Sequence, residues 1–165
     1  YPVKCVEYLD RICQAVEPQR GLQFTEKLVL TEQKQSLAAS AAHLAELVSA
    51  RGIVVITRRG RMASFVTNCH PFTPTVFAFS NDSRTRRQLA LNRGVYAFRS
   101  NFSNNPEKTL ANAFAILVER EGFSAGDKVV VISDILEGAG VEAIHVREVP
   151  ALDAAMLAAA KKADR

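Results

Sequence analysis

The sequence predicts an α/β fold: a three-layer αβα sandwich on a five-stranded, mostly parallel sheet whose last strand runs antiparallel. Three observations carry that prediction. Apolar runs rich in β-branched and aromatic residues at 53–56, 75–79, 95–98 and 128–132 read as strands, the first of them buried on both faces. Segments with helical spacing lie between these runs, the alternation of a parallel sheet covered on both sides. A fifth run, 143–149, follows after only the ten residues 133–142. A covered parallel crossover needs about a dozen or more, so this strand must return antiparallel as a hairpin-like edge.

Each element has its own signals. Pro2 suits a first helical position, and Val6, Leu9, Ile12, Cys13 and Val16 follow at helical spacing until Pro18 ends the element. Residues 18–30 read as a polar linker, closing on Leu28-Val29-Leu30, which would dock on something apolar. Thr31 is the expected cap of a long helix with Leu37, Ala41, Leu44, Ala45 and Val48 along one face, stopped by Gly52. Ala38-Ala39-Ser40-Ala41-Ala42 keeps that helix thin, and His43 on its flank has no second ligand or base at useful spacing, so a surface role is expected. Residues 61–68 can form a short helix. Cys69 and His70 are adjacent, and neighbours on one chain rarely share a metal, so none is expected there.

Asn81 or Asp82 caps a helix through Asn92, with Arg84, Arg86, Arg87 and Arg93 outward and Leu89 and Ala90 inward, and Gly94 ends it. Pro106 opens a helix whose apolar face is Leu110, Phe114, Leu117 and Val118, and residues 122–127 turn into the fourth strand. On the fifth, His145 and Arg147 share one face and Ile144 and Val146 the other, and charge on an edge strand discourages edge-to-edge pairing. Residues 151–165 read as an Ala-rich, solvated helical tail with Lys161, Lys162 and Arg165 where they suit the helix dipole.

The totals exclude several classes. At 165 residues the chain fits one domain, and its 48% hydrophobic content supports a packed core without a stretch long enough to span a membrane. A net charge of +4, few aromatics and no Trp argue against a base-stacking surface, so neither nucleic acid nor membrane is expected as a partner. Cys5, Cys13 and Cys69 form no metal-like spacing. Cys5 and Cys13, eight residues apart on one helix, would sit about 12 Å apart, beyond disulfide reach. A reduced, cytoplasmic protein is the expectation. The chain starts with neither Met nor a signal-peptide pattern, which suggests that it begins inside a longer one.

One stretch concentrates chemistry. After the first strand come Thr57, Arg58, Arg59, Gly60 and Arg61, opening a helix, and no carboxylate occurs in residues 51–70. Guanidinium groups and free backbone N–H groups at one point make an anion site, strongest for phosphate. Ligands of such sheets bind beyond the carboxyl ends of the strands. The loop after strand four, with Asp134, Glu137, Gly138, Gly140 and Glu142, would face this turn if the two strands are neighbours. A charge-assisted contact to a ligand contributes about 1.5–3 kcal/mol. An exposed guanidinium–carboxylate pair contributes only about 0–1 kcal/mol, so a doubly charged ligand could displace the carboxylates.

The run Leu37-Ala38-Ala39-Ser40-Ala41-Ala42-His43-Leu44-Ala45, followed by Ile53-Val54-Val55-Ile56-Thr57-Arg58-Arg59-Gly60-Arg61, resembles the C-terminal domain of pyruvate kinase. So do Asn92-Arg93-Gly94-Val95, Gly122-Phe123 through Gly126-Asp127-Lys128-Val129-Val130-Val131-Ile132 and Ile144-His145-Val146-Arg147-Glu148-Val149-Pro150, and Tyr1-Pro2-Val3 is similar to the start of the family's final barrel helix. The resemblance covers residues 1–150 and implies the same mixed sheet. It divides the chain into the end of a barrel domain with its linker (1–30), the α/β domain (31–150) and the tail (151–165). It further implies a parent enzyme that transfers phosphate from phosphoenolpyruvate to ADP with Mg²⁺ and K⁺. The catalytic groups of that family lie in the barrel, so this chain alone should be inactive and hold no cofactor.

In that family the domain binds a phosphorylated effector and helps form a homotetramer. The family's phosphate loop reads Thr-x-Ser-Gly-x-Ser or -Thr; here Thr57 and Gly60 match, while Arg59 and Met62 replace the two hydroxyl residues. Phe102 with Lys108 or Thr109 falls near the places where an aromatic and a cation hold a second phosphate in fructose-bisphosphate-regulated members. The acidic loop departs from the basic or neutral loop of those members. A monophosphate, a nucleotide or no effector is therefore expected ahead of a bisphosphate. Two other readings stand beside this one. The domain could serve assembly only, its arginines held by Asp134 or Glu137. It could also be a free-standing phosphate-handling enzyme using those two carboxylates on a metal.

Overall fold

Three strands of the sheet are apolar along almost their whole length, and they occupy its centre. The computed structural model describes residues 1–16, 29–69, 74–133 and 143–152. In chain order the elements are α1 (Pro2–Val16), α2 (Gln33–Leu47), β1 (Gly52–Ile56), α3 (Arg61–Asn68), β2 (Thr75–Ser80), α4 (Ser83–Leu89), β3 (Val95–Arg99), α5 (Pro106–Glu121), β4 (Lys128–Ser133) and β5 (Ala143–Glu148). The sheet order is β3-β2-β1-β4-β5. β1 pairs in parallel with both β2 and β4, β3 pairs in parallel with β2, and β5 returns antiparallel on β4, as the short connection requires. β1 is buried throughout, whereas the edge strands β3 and β5 are half-exposed.

Side chains alternate across this sheet into two cores. Val54, Ile56, Phe77, Phe79, Val129 and Val131 pack with Leu110, Phe114 and Leu117 of α5. Ile53, Val55, Val76, Ala78, Val130 and Ile132 pack with alanines of α2, Met62 and Val66 of α3 and Leu89 of α4. Burying each large apolar side chain stabilises the fold by about 1.5–3 kcal/mol relative to leaving it in water. The expected sandwich is therefore present, with α5 on one face and α2, α3 and α4 on the other. Arg147 on β5 closes the edge by pairing with Glu107 in the first turn of α5, 2.6 Å away.

Several element ends differ from expectation. Glu32, not Thr31, is the N-cap of α2, and the Gln35 side chain accepts from both the Thr31 and Glu32 backbone N–H groups (2.8 and 3.2 Å). The inward face of α2 is Ala38, Ala41, Ala42 and Ala45, with Leu37, Leu44 and Val48 half-buried beside it. Small residues let the helix lie close to the sheet, so the leucines fall at its margins. α2 ends before Ser49, which turns with φ 51°, while the Ala50 N–H closes on the Ala45 carbonyl at 2.8 Å. Gly52 therefore does not stop the helix; it starts β1, where a Cβ would lie 2.5 Å from Phe77 Cε2. α4 ends at Leu89 rather than Asn92, and residues 90–94 continue as turns.

Val29 and Leu30 are exposed rather than docked, α1 contains no buried residue, and His43 is exposed as expected. Leu152 packs on the α5 core; residues 153–165 of the expected tail, most of the 18–30 linker and His70 lie outside the described residues. Among the described residues, no helix is long and apolar enough to cross a membrane.

Candidate functional site

β1 is the strand beside which the chain changes faces. α3 and α4 follow β1 and β2 on one side of the sheet, and α5 leads to β4 on the other. β1 and β4 are adjacent, with Ile56 in register with Ser133. A crevice at the carboxyl ends of such a pair is where open α/β sheets bind ligands. Buried hydroxyls mark that edge: Thr57 follows β1, Ser80 ends β2, Ser100 follows β3 and Ser133 ends β4. The Ser100 Oγ has no hydrogen-bond partner among the described residues.

The five predicted residues Thr57, Arg58, Arg59, Gly60 and Arg61 do come together here as one built turn. The Thr57 N–H donates to the Phe79 carbonyl at 2.9 Å, and the Gly60 N–H donates to Thr57 Oγ1 at 3.1 Å. Gly60 has φ 77°, which favours glycine, and a Cβ on it would stand a tight 3.2 Å from both Leu89 Cδ2 and Thr85 Cγ2. Ser80 Oγ lies 3.4 Å from the Arg58 carbonyl and donates to it, and it accepts the Asp82 N–H at 3.2 Å. Thr85 Oγ1 is 2.8 Å from Asp82 Oδ2 and 3.3 Å from the same Arg58 carbonyl; its single proton serves the carboxylate first. The Thr85 N–H also donates to Asp82 Oδ2, at 2.7 Å, and this bond leads in holding the Asp82 carboxyl below the usual carboxylate range. β1, β2 and α4 thus fasten the turn from three directions.

The arginines are not equivalent. Arg61 Nη2 pairs with Glu32 Oε2 at 2.9 Å, and its guanidinium lies 5.6 Å from the Phe65 ring centre. Both partners are largely exposed, so this pair stabilises by only about 0–1 kcal/mol. Arg58 and Arg59 are exposed and make no ion pair among the described residues. Of the opposing loop, Asp134, Glu137, Gly138 and Gly140 all lie outside the described residues. Its root is placed nonetheless, because Ser133 sits beside Ile56 and the two loops leave neighbouring strand ends.

Most of the remaining candidates take part in the packing or hydrogen bonding of the fold. Phe102 packs on the α5 core, and Thr109 Oγ1 accepts the Ser103 N–H at 2.9 Å, tying the loop before α5 to its first turn. Lys108 is exposed. Cys69 is buried, its Sγ 3.3 Å from the Phe65 carbonyl, and burial pushes the thiol up, away from reactive thiolate. Among the described residues no three His, Cys, Asp or Glu side chains gather to hold a metal ion.

Between α3 and α4 a groove of about 230 Å³ opens next to the arginine turn, lined by Arg59, Ser64, Phe65, Asn68, Gln88 and Asn92 among others. Sequence reasoning did not find this groove, nor Glu32 as the partner of Arg61. Glu32 stands 29 residues before Arg61, and no local spacing announces such a contact. Thr85 carried a weak signal, three residues after the capping Asp82.

Comparison with known proteins places this architecture. Residues 35–146 match the family described as pyruvate kinase, alpha/beta domain. The chain is 34% identical over 116 residues to the chloroplastic pyruvate kinase isozyme A of Nicotiana tabacum, covering 70% of this chain and 18% of the tobacco protein. The corresponding isozyme of Ricinus communis gives 34% over 116 residues, 70% and 19%. Pyruvate kinase of Cryptosporidium parvum, solved in complex with ADP, shares the fold at a TM-score of 0.67 and 23% identity, over 74% of this chain and 25% of that one. The chain spans about a fifth of the length of the two plant proteins. Because the match runs from α2 into the antiparallel edge strand, the chain belongs to the pyruvate kinase family, and residues 35–146 are that family's α/β domain.

Proposed function

We propose that this domain regulates and assembles a pyruvate kinase, and that the turn Thr57, Arg58, Arg59, Gly60 and Arg61 takes the phosphate of a small effector. The parent reaction would be phosphate transfer from phosphoenolpyruvate to ADP in glycolysis, with Mg²⁺ and K⁺ serving the barrel and a homotetramer as the assembly. Residues 1–30 would close that barrel and link it to the α/β domain of residues 31–150, with residues 151–165 as a tail. The isolated chain would show no phosphotransfer. Unpaired Cys5, Cys13 and buried Cys69 support a reducing compartment. Some relatives carry chloroplastic names, so a plastid fits as well as the cytoplasm.

One observation carries the effector reading: Arg58 and Arg59, on a turn fixed by hydrogen bonds at the carboxyl edge, have no carboxylate partner among the described residues. A preset turn loses little entropy on binding, and each guanidinium contact to phosphate contributes about 1.5–3 kcal/mol. Calorimetric titration with glucose 6-phosphate and with AMP tests it. Saturable binding that weakens with added salt and vanishes in Arg59→Ala is expected; an unchanged affinity in that variant removes the site. A second reading draws on the Arg61–Glu32 pair, an intramolecular neutralisation that suits a domain serving assembly alone. If Asp134 and Glu137 neutralise Arg58 and Arg59 as well, replacing both by Ala should create phosphate binding where the unaltered chain has none.

A further inference from the structure

The sheet has an open edge at β3, the outermost strand on that side among the described residues. The Val76 N–H donates to the Gly94 carbonyl and the Ser100 N–H to the Ser80 carbonyl, both at 3.0 Å, which sets the phase of the parallel ladder between β2 and β3. Alternate residues of a parallel strand bond to the same neighbour. Tyr96 and Phe98 therefore face β2 with both backbone groups, while Ala97 and Arg99 turn theirs outward. No hydrogen bond reaches the Ala97 or Arg99 N–H among the described residues. The two flanks of this edge differ. On the α5 side the Tyr96 ring centre lies 5.8 Å from that of Phe77, yet Tyr96 is 52% exposed, with no further strand to cover it. On the α4 side Val95 and Ala97 pack on the core, and Arg99 follows in the same alternation, exposed.

Charge around this edge is one-sided. Between Glu46 and Glu107 the chain has nine arginines, no lysine and a single carboxylate, Asp82, which is occupied as the cap of α4. α4 packs on β2 and β3, and its Arg84, Arg86 and Arg87, like Arg99, are exposed and make no ion pair among the described residues. We propose that the β3 edge is an interaction surface for a partner protein, and that it takes an extended segment of alternating acidic and apolar residues as an added strand. Only an extended chain meets a row of outward N–H and C=O groups at strand spacing. Alternation then sets one row of the partner's side chains beside Tyr96 and the other beside Arg99, so the first row is apolar and the second carboxylate. A second copy of the same edge would bring two arginine-bearing flanks together, which disfavours self-pairing. This surface uses neither Arg58 nor Arg59 and does not depend on the arginine turn.

The test is residue-resolved amide exchange on the 165-residue chain. The probes are a short end-blocked peptide alternating Val with Glu, and the same peptide with Lys for Glu. The Glu peptide should slow exchange at Ala97 and Arg99 about tenfold or more and leave the β5 amides unchanged; the Lys peptide should slow neither. Arg99→Glu should weaken binding of the Glu peptide about tenfold. Ala97→Pro removes an outward donor but none of the bonds to β2, a place where edge strands accept proline, and should abolish the protection at Arg99. If Ala97→Pro does not fold, Arg99→Glu decides alone. Equal protection by both peptides, or unchanged affinity in Arg99→Glu, overturns the acidic partner. Protection that misses Ala97 and Arg99, or that appears on β5 instead, overturns the edge assignment. A single-stranded oligonucleotide that binds this surface where the Glu peptide does not would mark a nucleic-acid site and overturn both.

Discussion

Gly52 shows how a single residue can be misread from sequence and still matter. Its position after an apolar helix face suggests a helix stop, yet it opens the central strand under the Phe77 ring. Gly52→Ala places a methyl group 2.5 Å from Phe77 Cε2, and a strand buried on both faces has no room to yield. Overpacking of this kind should cost about 1–3 kcal/mol, read as a lower urea midpoint at unchanged slope. Adding Phe77→Leu should make the double variant less unstable than the two losses combined, since the two sites share one space. Strict additivity would show that the clash is not the cause. At Gly60 the argument is different, because φ of 77° penalises any Cβ by about 1–2 kcal/mol before packing is considered. Gly60→Ala should therefore lower the urea midpoint and, with it, any anion binding by the proposed turn.

Elements were legible where the period of the sequence sets them, and less so where contacts from elsewhere decide. All five strands and their directions follow from apolar runs and connection lengths, because a buried parallel sheet leaves little choice of residue. Helix ends were less certain: α2 is capped through Gln35 and turned by Ser49, and neither carries a strong composition signal. The arginine turn was legible as a Gly-containing basic loop after a strand. Its fastening to Ser80 and Thr85, its neutralisation at Glu32 and the α3–α4 groove depend on tertiary packing and were not.

The turn into β4 makes a prediction at this same scale. Asp127 Oδ2 accepts the Ser124 N–H at 2.7 Å, and this bond is the main cause of a carboxyl held below its usual range, with partial burial opposing and Arg51 assisting. A lowered folded-state value means stability that is present above the unfolded value and lost as pH falls through the folded one. Unfolding midpoints should thus drop as the pH falls below about 4, and Asp127→Asn should flatten that part of the profile. The same acid limb in both proteins would show that Asp127 does not contribute to it.

At the scale of the whole molecule, stability should be unevenly distributed. The sheet and its two cores hold every large, fully buried side chain among the described residues, from Phe79 and Ile53 to Leu117 and Val129. α1 buries nothing: Val3, Val6, Leu9, Ile12 and Val16 are all more than half exposed. A 15-residue helix without packing is marginal in water, since nucleation is unfavourable and only a covered apolar face offsets it. In the isolated chain the amides of residues 2–16 should therefore exchange orders of magnitude faster than those of β1 and β4, which open only with global unfolding. Removing residues 1–16 should shift the unfolding free energy by no more than about 0.5 kcal/mol, the range of changes that touch no core. Because those apolar side chains would go with it, the truncated chain should also aggregate less. A truncation that costs several kcal/mol would instead mean that α1 packs on the sandwich in solution, and the proposed division between residues 1–30 and the α/β body of residues 31–150 would have to be redrawn.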